Sequence, residues 1–551
     1  MLIGREEGPL SFLGSRELPR PAESLHWLVA AASKAGWSIA EDRARVCESK
    51  ESMRESTETK RPEILALFHH PGLTSTTNRV LVLALSALLL CAVGFVNGYP
   101  LLYADSIEYL DVGEAIFAKL GSGTPGWLGQ RSPFYSIWVR VLHRDHSLWF
   151  IIVGQGLVLS YCLFPALRVI DPKLRNSGFL AIILSISFCT SVSWYTSKLM
   201  PDIFASTVVL GMFVLGFGER VTSAFQLFMA SAIVVFSVIV HTSHLPLALS
   251  LAATVGGIRV LFGGSRGSWT GPALRVASPI VVAIALMLTM TVLLFKTPEL
   301  VGPHPPFLLA RVVADGPGMD FLEKHCPDRT YAVCEYVDRF TKSPDDFLWN
   351  EEGVMRQAST EDAERIRREE TRVVLEVLRH YPWEQARVST FNFAEQLMLV
   401  GPTEFVRHPY IDSNIADVFP ETGRDYFQSM QYEGSLPHAS QVILQRGALV
   451  VSVILCLFVA WRLRDQLPAE ILAFTILVVV SLLTNSLITG VLSQPSSRFQ
   501  SRILWLIPLV AASYMLVWRR RGEAAAGCEP DGSPTRLAKR IEPARERPFR
   551  A

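Results

Sequence analysis

Apolar residues in this chain come in long, nearly uninterrupted runs. They fall at about 80–97, 147–170, 177–194, 202–217, 224–240, 245–262, 276–295, 447–461, 469–491 and 503–518. Runs of this length predict helices that cross a membrane. The pattern therefore predicts an all-α polytopic membrane protein with about ten transmembrane helices. The fourth and eighth runs are short. Seven runs come before a hydrophilic segment at 296–446 and three come after it.

The polar positions divide the rest. Residues 1–77 are charged and polar and predict a cytoplasmic, largely disordered region, with a short helix at 25–40. Residues 78–295 carry helices one to seven, and the first outer loop lies at 98–146. The segment 296–446 predicts a small, mainly helical outer domain resting on the membrane. Residues 360–379 form one of its helices. After Pro382 a second begins, whose Trp383, Ala386, Val388, Phe391, Phe393 and Leu397 are expected to supply its helical core. Residues 447–518 carry the last three spans, and 519–551 form a cytoplasmic, disordered tail.

Charge changes the picture by its distribution. Lys173, Arg175, Arg220, Arg259, Arg266, Arg275, Arg462, Arg464 and Arg519 to Arg521 occupy one set of connections. The opposite short connections hold few cations. The excess marks the cytoplasmic side, so both termini are cytoplasmic and the 98–146 loop and the 296–446 segment face out. An even number of spans agrees with this. Net charge is only +1, which leaves no nucleic-acid footprint. The span interiors lack acidic and basic residues, which counts against a coupled transporter. Of eight cysteines, Cys326 and Cys334 alone lie close together in a polar region. A disulfide between them fits an oxidising compartment, while their spacing leaves a pair of free thiols equally open.

Candidate chemistry gathers at the expected outer ends of the spans. Asp105 lies just past the first span, with Glu108 on nearly the same helical face. The two could be a catalytic base and its neighbour, or simply a helix-capping pair. Ile107, Leu110, Ala115 and Ile116 of the same helix suit an interfacial position. Asp202 opens a later span, where an acid can also serve the helix dipole. His241 and His244 stand at the next outer turn. Their spacing could hold a divalent metal, but two ligands fall short of the usual count, and no metal ligand is assigned. Arg131, Lys198, Arg498 and Arg502 are all expected outside, as a clamp for phosphate oxygens or as side chains snorkelling at span ends.

The arrangement resembles the GT-C superfamily of integral-membrane glycosyltransferases, which includes protein O-mannosyltransferases and aminoarabinose transferases. The likeness rests on Tyr103-Ala104-Asp105-Ser106-Ile107-Glu108-Tyr109, Arg131-Ser132-Pro133-Phe134-Tyr135, Met200-Pro201-Asp202 and Ser497-Arg498-Phe499-Gln500-Ser501-Arg502, and covers roughly 78–520 in layout. The chain departs from the family at Ser106, where an acid is usual, and at Phe499, where Tyr is common.

The resemblance implies a sugar donor on a polyprenyl phosphate, an acceptor glycan, lipid or protein, and inversion at the sugar carbon. It implies Asp105 as general base, with Glu108 or Asp202 orienting the acceptor or sharing the proton work. Arg131, Tyr109, Lys198, His241, His244, Arg498 and Arg502 make up the implied substrate-binding set. No particular cofactor is implied, and a divalent metal is left open. The Ala- and Arg-rich tails point to a bacterial inner membrane, with the periplasm as the outer side. A transporter or flippase of a lipid-linked intermediate and a non-catalytic scaffold are the competing classes. Convergence of Asp105, Asp202 and Arg498 favours the enzyme, and scattering favours the scaffold.

Overall fold

The computed structural model describes residues 75–122, 131–262, 270–327, 331–464 and 466–526. The expectations for the N-terminal region through residue 74, including a helix at 25–40, lie outside the described residues, as does the tail from 527 onward.

Among the described residues the protein is helical, with no strand beyond one isolated bridge. Six helices among the described residues are long and apolar enough to cross a membrane, the length and composition of a multi-pass membrane protein. They cover Trp149–Ile170, His244–Leu261, Thr270–Phe295, His438–Arg462, Ala469–Leu492 and Ser497–Glu523. Four shorter apolar helices fall in the remaining apolar runs: Thr77–Leu90, Asn176–Cys189, Pro201–Phe217 and Ala224–Ile239. One boundary moves. The eighth run sits inside a helix that begins at His438, ahead of the expected segment end at 446.

The elements that build the site are α1 (Ser75–Leu90), α2 (Ala104–Ser122), α3 (Pro133–His143), α4 (Trp149–Ile170), α5 (Asn176–Cys189), α6 (Phe204–Phe217), α7 (Ala224–Ile239), α8 (His244–Phe262) and α9 (Thr270–Phe295). In the hydrophilic segment follow α10 (Phe307–Ala314), α11 (Pro317–His325), α12 (Thr360–His380), α13 (Pro382–Met398) and α14 (Pro409–Val418). The last four are α15 (His438–Arg462), α16 (Ala469–Leu492), α17 (Ser497–Leu504) and α18 (Leu506–Ala526).

Local chemistry sets the helix ends. Pro133, Pro317, Pro382 and Pro409 open their helices, where a missing N–H costs nothing. Ser223 and Gln226 form a reciprocal cap on α7. Gly98 ends the first apolar stretch at φ +81°, a left-handed conformation that suits glycine, and so turns the chain toward α2.

The bridge then fixes where α2 goes. Leu101 N–H donates to the Ser197 carbonyl at 2.9 Å, and Leu199 N–H donates to the Leu101 carbonyl at 2.9 Å. The Ser106 hydroxyl adds a 2.9 Å bond to the Leu199 carbonyl. On the other side of the backbone, Gln431 accepts from Leu102 N–H at 3.0 Å and donates to its carbonyl at 2.7 Å. The start of α2 is thus held between the turn before α6 and the hydrophilic segment. Ile107, Leu110 and Ile116 are buried in protein, which corrects their expected interfacial exposure.

The hydrophilic segment has a core of its own. Leu309, Val313, Phe321, Leu322, Phe347, Ile366, Val373 and Val377 pack together. The Glu370 carboxylate accepts from Leu308 and Leu309 N–H at 2.7 and 3.2 Å, capping α10 from a neighbouring helix. Cys326 and Cys334 form a disulfide. The second expected core helix differs. Trp383 and Phe391 of α13 are 82 % and 68 % exposed, while the buried positions are Gln385, Asn392 and Gln396. Trp383 and Phe391 face outward, beside exposed Glu384, Arg387 and Glu395, because Gln385, Asn392 and Gln396 have partners within.

Candidate active site

Four regions far apart in sequence bring charged side chains together. The first is α2, whose opening turn carries Asp105 and then Glu108. Arg131, just before α3, donates to Asp105 and to Glu108, each at 2.7 Å. The hydrogen bonds of both acids therefore run to a cation, not to the amides of their own helix as the capping reading requires.

The second region is the turn before α6. Gln155 of α4 donates to the backbone carbonyls of Thr196 and Lys198 at 2.9 and 2.8 Å, fixing this turn from inside. Lys198 Nζ donates to Asp202 at 2.8 Å and lies 3.8 Å from Glu404. The rings of Tyr103, Tyr195 and Phe405 stand 4.9, 5.4 and 5.1 Å from the ammonium, a desolvated cation–π arrangement. Tyr195 donates its hydroxyl proton to Glu404 at 2.6 Å.

The third region is α17. Arg498 Nε donates to Asp202 at 3.2 Å, and its terminal nitrogens reach Asp105 at 3.4 Å. Its guanidinium also covers the Tyr103 ring at 4.4 Å. Arg502 donates to Asp202 at 3.2 Å, to Asn485 at 2.8 Å and to the Ser243 hydroxyl at 3.2 Å. Arg498 thus joins the Asp105 pair to the Asp202 group. The fourth region is the stretch after α13, which supplies Glu404.

Exposure separates the acids. Asp202 is sealed, with 0 % of its side chain exposed, whereas 14 % of Asp105 and 26 % of Glu108 are exposed. Burial pushes the Glu108 carboxyl above the ordinary carboxylate range; Arg131 pulls it down and neighbouring Asp105 pushes it further up. Four cations, Arg131, Lys198, Arg498 and Arg502, face four carboxylates, Asp105, Glu108, Asp202 and Glu404.

The remaining candidates sit nearby in different settings. Tyr109 is buried, its ring edge-on to Tyr135 at 4.7 Å, and Tyr135 donates to Gln155. The rings of His241 and His244 lie 5.0 Å apart. The Ser243 hydroxyl, 2.8 Å from His241 Nδ1, also accepts from Arg502 and so can donate its own proton to that nitrogen. His244 Nδ1 donates to the Ser237 carbonyl at 2.6 Å. The pair is tied into the arginine network, and among the described residues no third metal-ligating side chain joins it. The one acidic-histidine grouping found among them, Glu114, His143 and Asp145, already holds a cation: Arg140 bridges Glu114 and Asp145 at 2.7 and 3.0 Å.

An apolar cleft adjoins Arg131. Phe134, Ile239, Met287, Met290 and Phe295 line it, together with the backbone turn at Leu300–Pro303. Several participants were not picked out by sequence reasoning, among them Tyr103, Asn485 and Glu404. Tyr103 lay inside the quoted stretch but carried no charge to mark it. Asn485 had a readable signal, a lone amide in an apolar run. Glu404 had none, being an acid in a hydrophilic segment that contains many. No family model matches this chain, and no curated protein or solved structure shows detectable similarity to it.

Proposed function

We propose that this protein is an inverting membrane glycosyltransferase of the GT-C type. It moves a sugar from a polyprenyl-phosphate donor to an acceptor at the outer membrane face. On this reading the four short apolar helices join the six long ones to make ten spans. Both termini lie in the cytoplasm of a bacterium, and the charged network faces the periplasm. The disulfide between Cys326 and Cys334 supports that side for the hydrophilic segment.

One observation carries the reading. Asp105, Asp202 and Arg498 come from three distant parts of the chain and meet through direct ion pairs. In the reaction the acceptor oxygen bonds to the anomeric carbon, while the bond from that carbon to the phosphate oxygen breaks. The phosphate leaves with the electron pair, and the acceptor proton passes to Asp105. Glu108 stands beside it as the second accessible acid. Arg131 and Arg498, which already touch Asp105, are placed to stabilise the departing phosphate. Asp202 takes no proton on this reading. Its task is to hold Lys198, Arg498 and Arg502 in place.

The test is transfer by purified protein presented with a panel of polyprenyl-phosphate sugars. Asp105→Asn should stay folded and inserted and lose transfer. Normal transfer by that variant removes Asp105 from the role of base, and a wild-type protein inert toward every donor removes the enzyme reading. A non-catalytic scaffold is the second reading, favoured by the equal count of cations and carboxylates, which needs no ligand for neutrality. Under it Asp105→Asn alters stability alone.

A further inference from the structure

Helix α13 is built inside out for a helix in water. Its buried positions, Gln385, Asn392 and Gln396, fall at i, i+7 and i+11 on one face. Each donates a side-chain hydrogen bond to a partner inside the protein. Gln385 and Asn392 donate to Asp315 at 2.7 and 3.0 Å, and Asp315 also pairs with Arg311 at 2.6 Å. Gln396 exchanges bonds with the Ser496 backbone at 2.8 and 2.9 Å. The opposite face carries Trp383, Phe391 and Met398, the last 79 % exposed, interspersed with exposed Glu384, Arg387 and Glu395. A surface helix of a water-soluble domain shows the reverse order.

The surroundings indicate what lies against that apolar face. α13 packs directly on the membrane-length helix α16. The approach is close: a Cβ at Gly490 would come within 2.8 Å of the Asn392 carbonyl oxygen and 2.9 Å of the Gln396 Cβ. The outward residues of α16 toward this end, Leu483, Leu487 and Leu492, are also apolar. The apolar face of α13 therefore continues the surface that α16 presents to acyl chains. Trp383 lies in the first turn of the helix, a residue type favoured at headgroup level. Glu384, Arg387 and Glu395 share the outward side, which sets this face at the polar boundary of the leaflet, where their charged ends reach water.

We propose that α13 is embedded in the lipid leaflet at the Asp105 end of the helices, with Trp383, Phe391 and Met398 against acyl chains. The partner is the bilayer itself. This inference needs only that α16 crosses the membrane, and it stands apart from sugar transfer. Gly401 and Glu404 follow α13 directly, and Gly401 is tied to Ser501 by a 2.8 Å bond. A lipid-held α13 therefore anchors the stretch that delivers Glu404 to Lys198.

The test places p-benzoylphenylalanine at position 391 or 398 of the full-length protein. Position 368 serves as a control, since the Arg368 side chain is 71 % exposed on the charged helix α12. Each protein is reconstituted into vesicles of phosphatidylethanolamine and phosphatidylglycerol, irradiated, and weighed intact. Positions 391 and 398 should gain the mass of one phospholipid, and position 368 should not. Absence of lipid adducts at both 391 and 398 would overturn the proposal, whether those positions stay unreacted or crosslink to another polypeptide. All three positions are exposed, so the substitutions leave the packing intact.

Discussion

Replacing Asp202 by Asn tests the ion network most directly. Asp202 faces three cations: Lys198 at 2.8 Å and Arg498 and Arg502 at 3.2 Å each. With its charge gone, two of the three keep an acid nearby. Arg498 retains Asp105 at 3.4 Å, and Lys198 retains Glu404 at 3.8 Å. Arg502 keeps only neutral partners, Asn485 and Ser243, and 1 % of its side chain is exposed. The variant therefore leaves one buried cation uncompensated, a change that costs about 3–5 kcal/mol. At about 1.4 kcal/mol per tenfold, that is roughly a hundred- to several-thousand-fold drop in the folded-to-unfolded ratio. Removing the stranded cation as well, in Asp202→Asn with Arg502→Met, should recover part of the loss. The assay is denaturant unfolding in detergent micelles, followed by tryptophan fluorescence, on both single variants and the double. If Asp202→Asn unfolds within about 1 kcal/mol of wild type, or the double variant shows the plain sum of the singles, the neutralisation argument fails.

Other outcomes follow from single contacts. Glu370→Ala strands the Leu308 and Leu309 amides and should cost about 1–3 kcal/mol, whereas Glu370→Gln keeps an acceptor and should cost less; unfolding midpoints of the two decide it. Burial raises the Glu370 carboxyl above its ordinary 4.5, so its contribution is fully present below that pH and is lost as pH rises through the folded-state value. Glu370→Gln should flatten that part of the stability–pH curve, and an unchanged slope would contradict the sign. The Cys326–Cys334 disulfide closes a separation of 8 residues. Its loss in Cys326→Ser should cost about 2.5 kcal/mol on the loop-entropy relation, read as a lower unfolding midpoint insensitive to reductant. Gly490→Ala forces the Asn392 carbonyl away and should cost about 1–3 kcal/mol, visible as faster proteolysis after α13.

The apolar runs announced the helices well, because a membrane-length helix needs only uninterrupted hydrophobicity. Their ends were harder. His438 begins a helix several residues before its apolar run, since a helix continues past the point where hydrophobicity stops. In α13 the residues gave no reliable facing. Apolar side chains occur all around it, and the aligned Gln385, Asn392 and Gln396 signal a stripe without saying which way it points. That direction is set by Asp315 and Ser496, both distant in sequence. The charged candidates were legible singly, as ions at the ends of apolar runs. Their joining into one network was not, because the pairs made by Arg498 and Arg502 link residues hundreds of positions apart. Glu404 shows the limit most plainly: its place beside Lys198 depends on a close approach between Gly401 and Ser501 that no local pattern encodes.

The separation of 296 residues between Asp202 and Arg498 has a consequence in time. At ribosomal speeds, that length of chain takes about 15–60 s to make. For that interval Asp202 exists without either of its arginines. Lys198, four residues away, is the one partner already synthesised with it. The short-range pair is thus a provisional counter-charge that lets an acid wait at the head of an apolar helix. The arginines, arriving last, convert that waiting pair into the finished network.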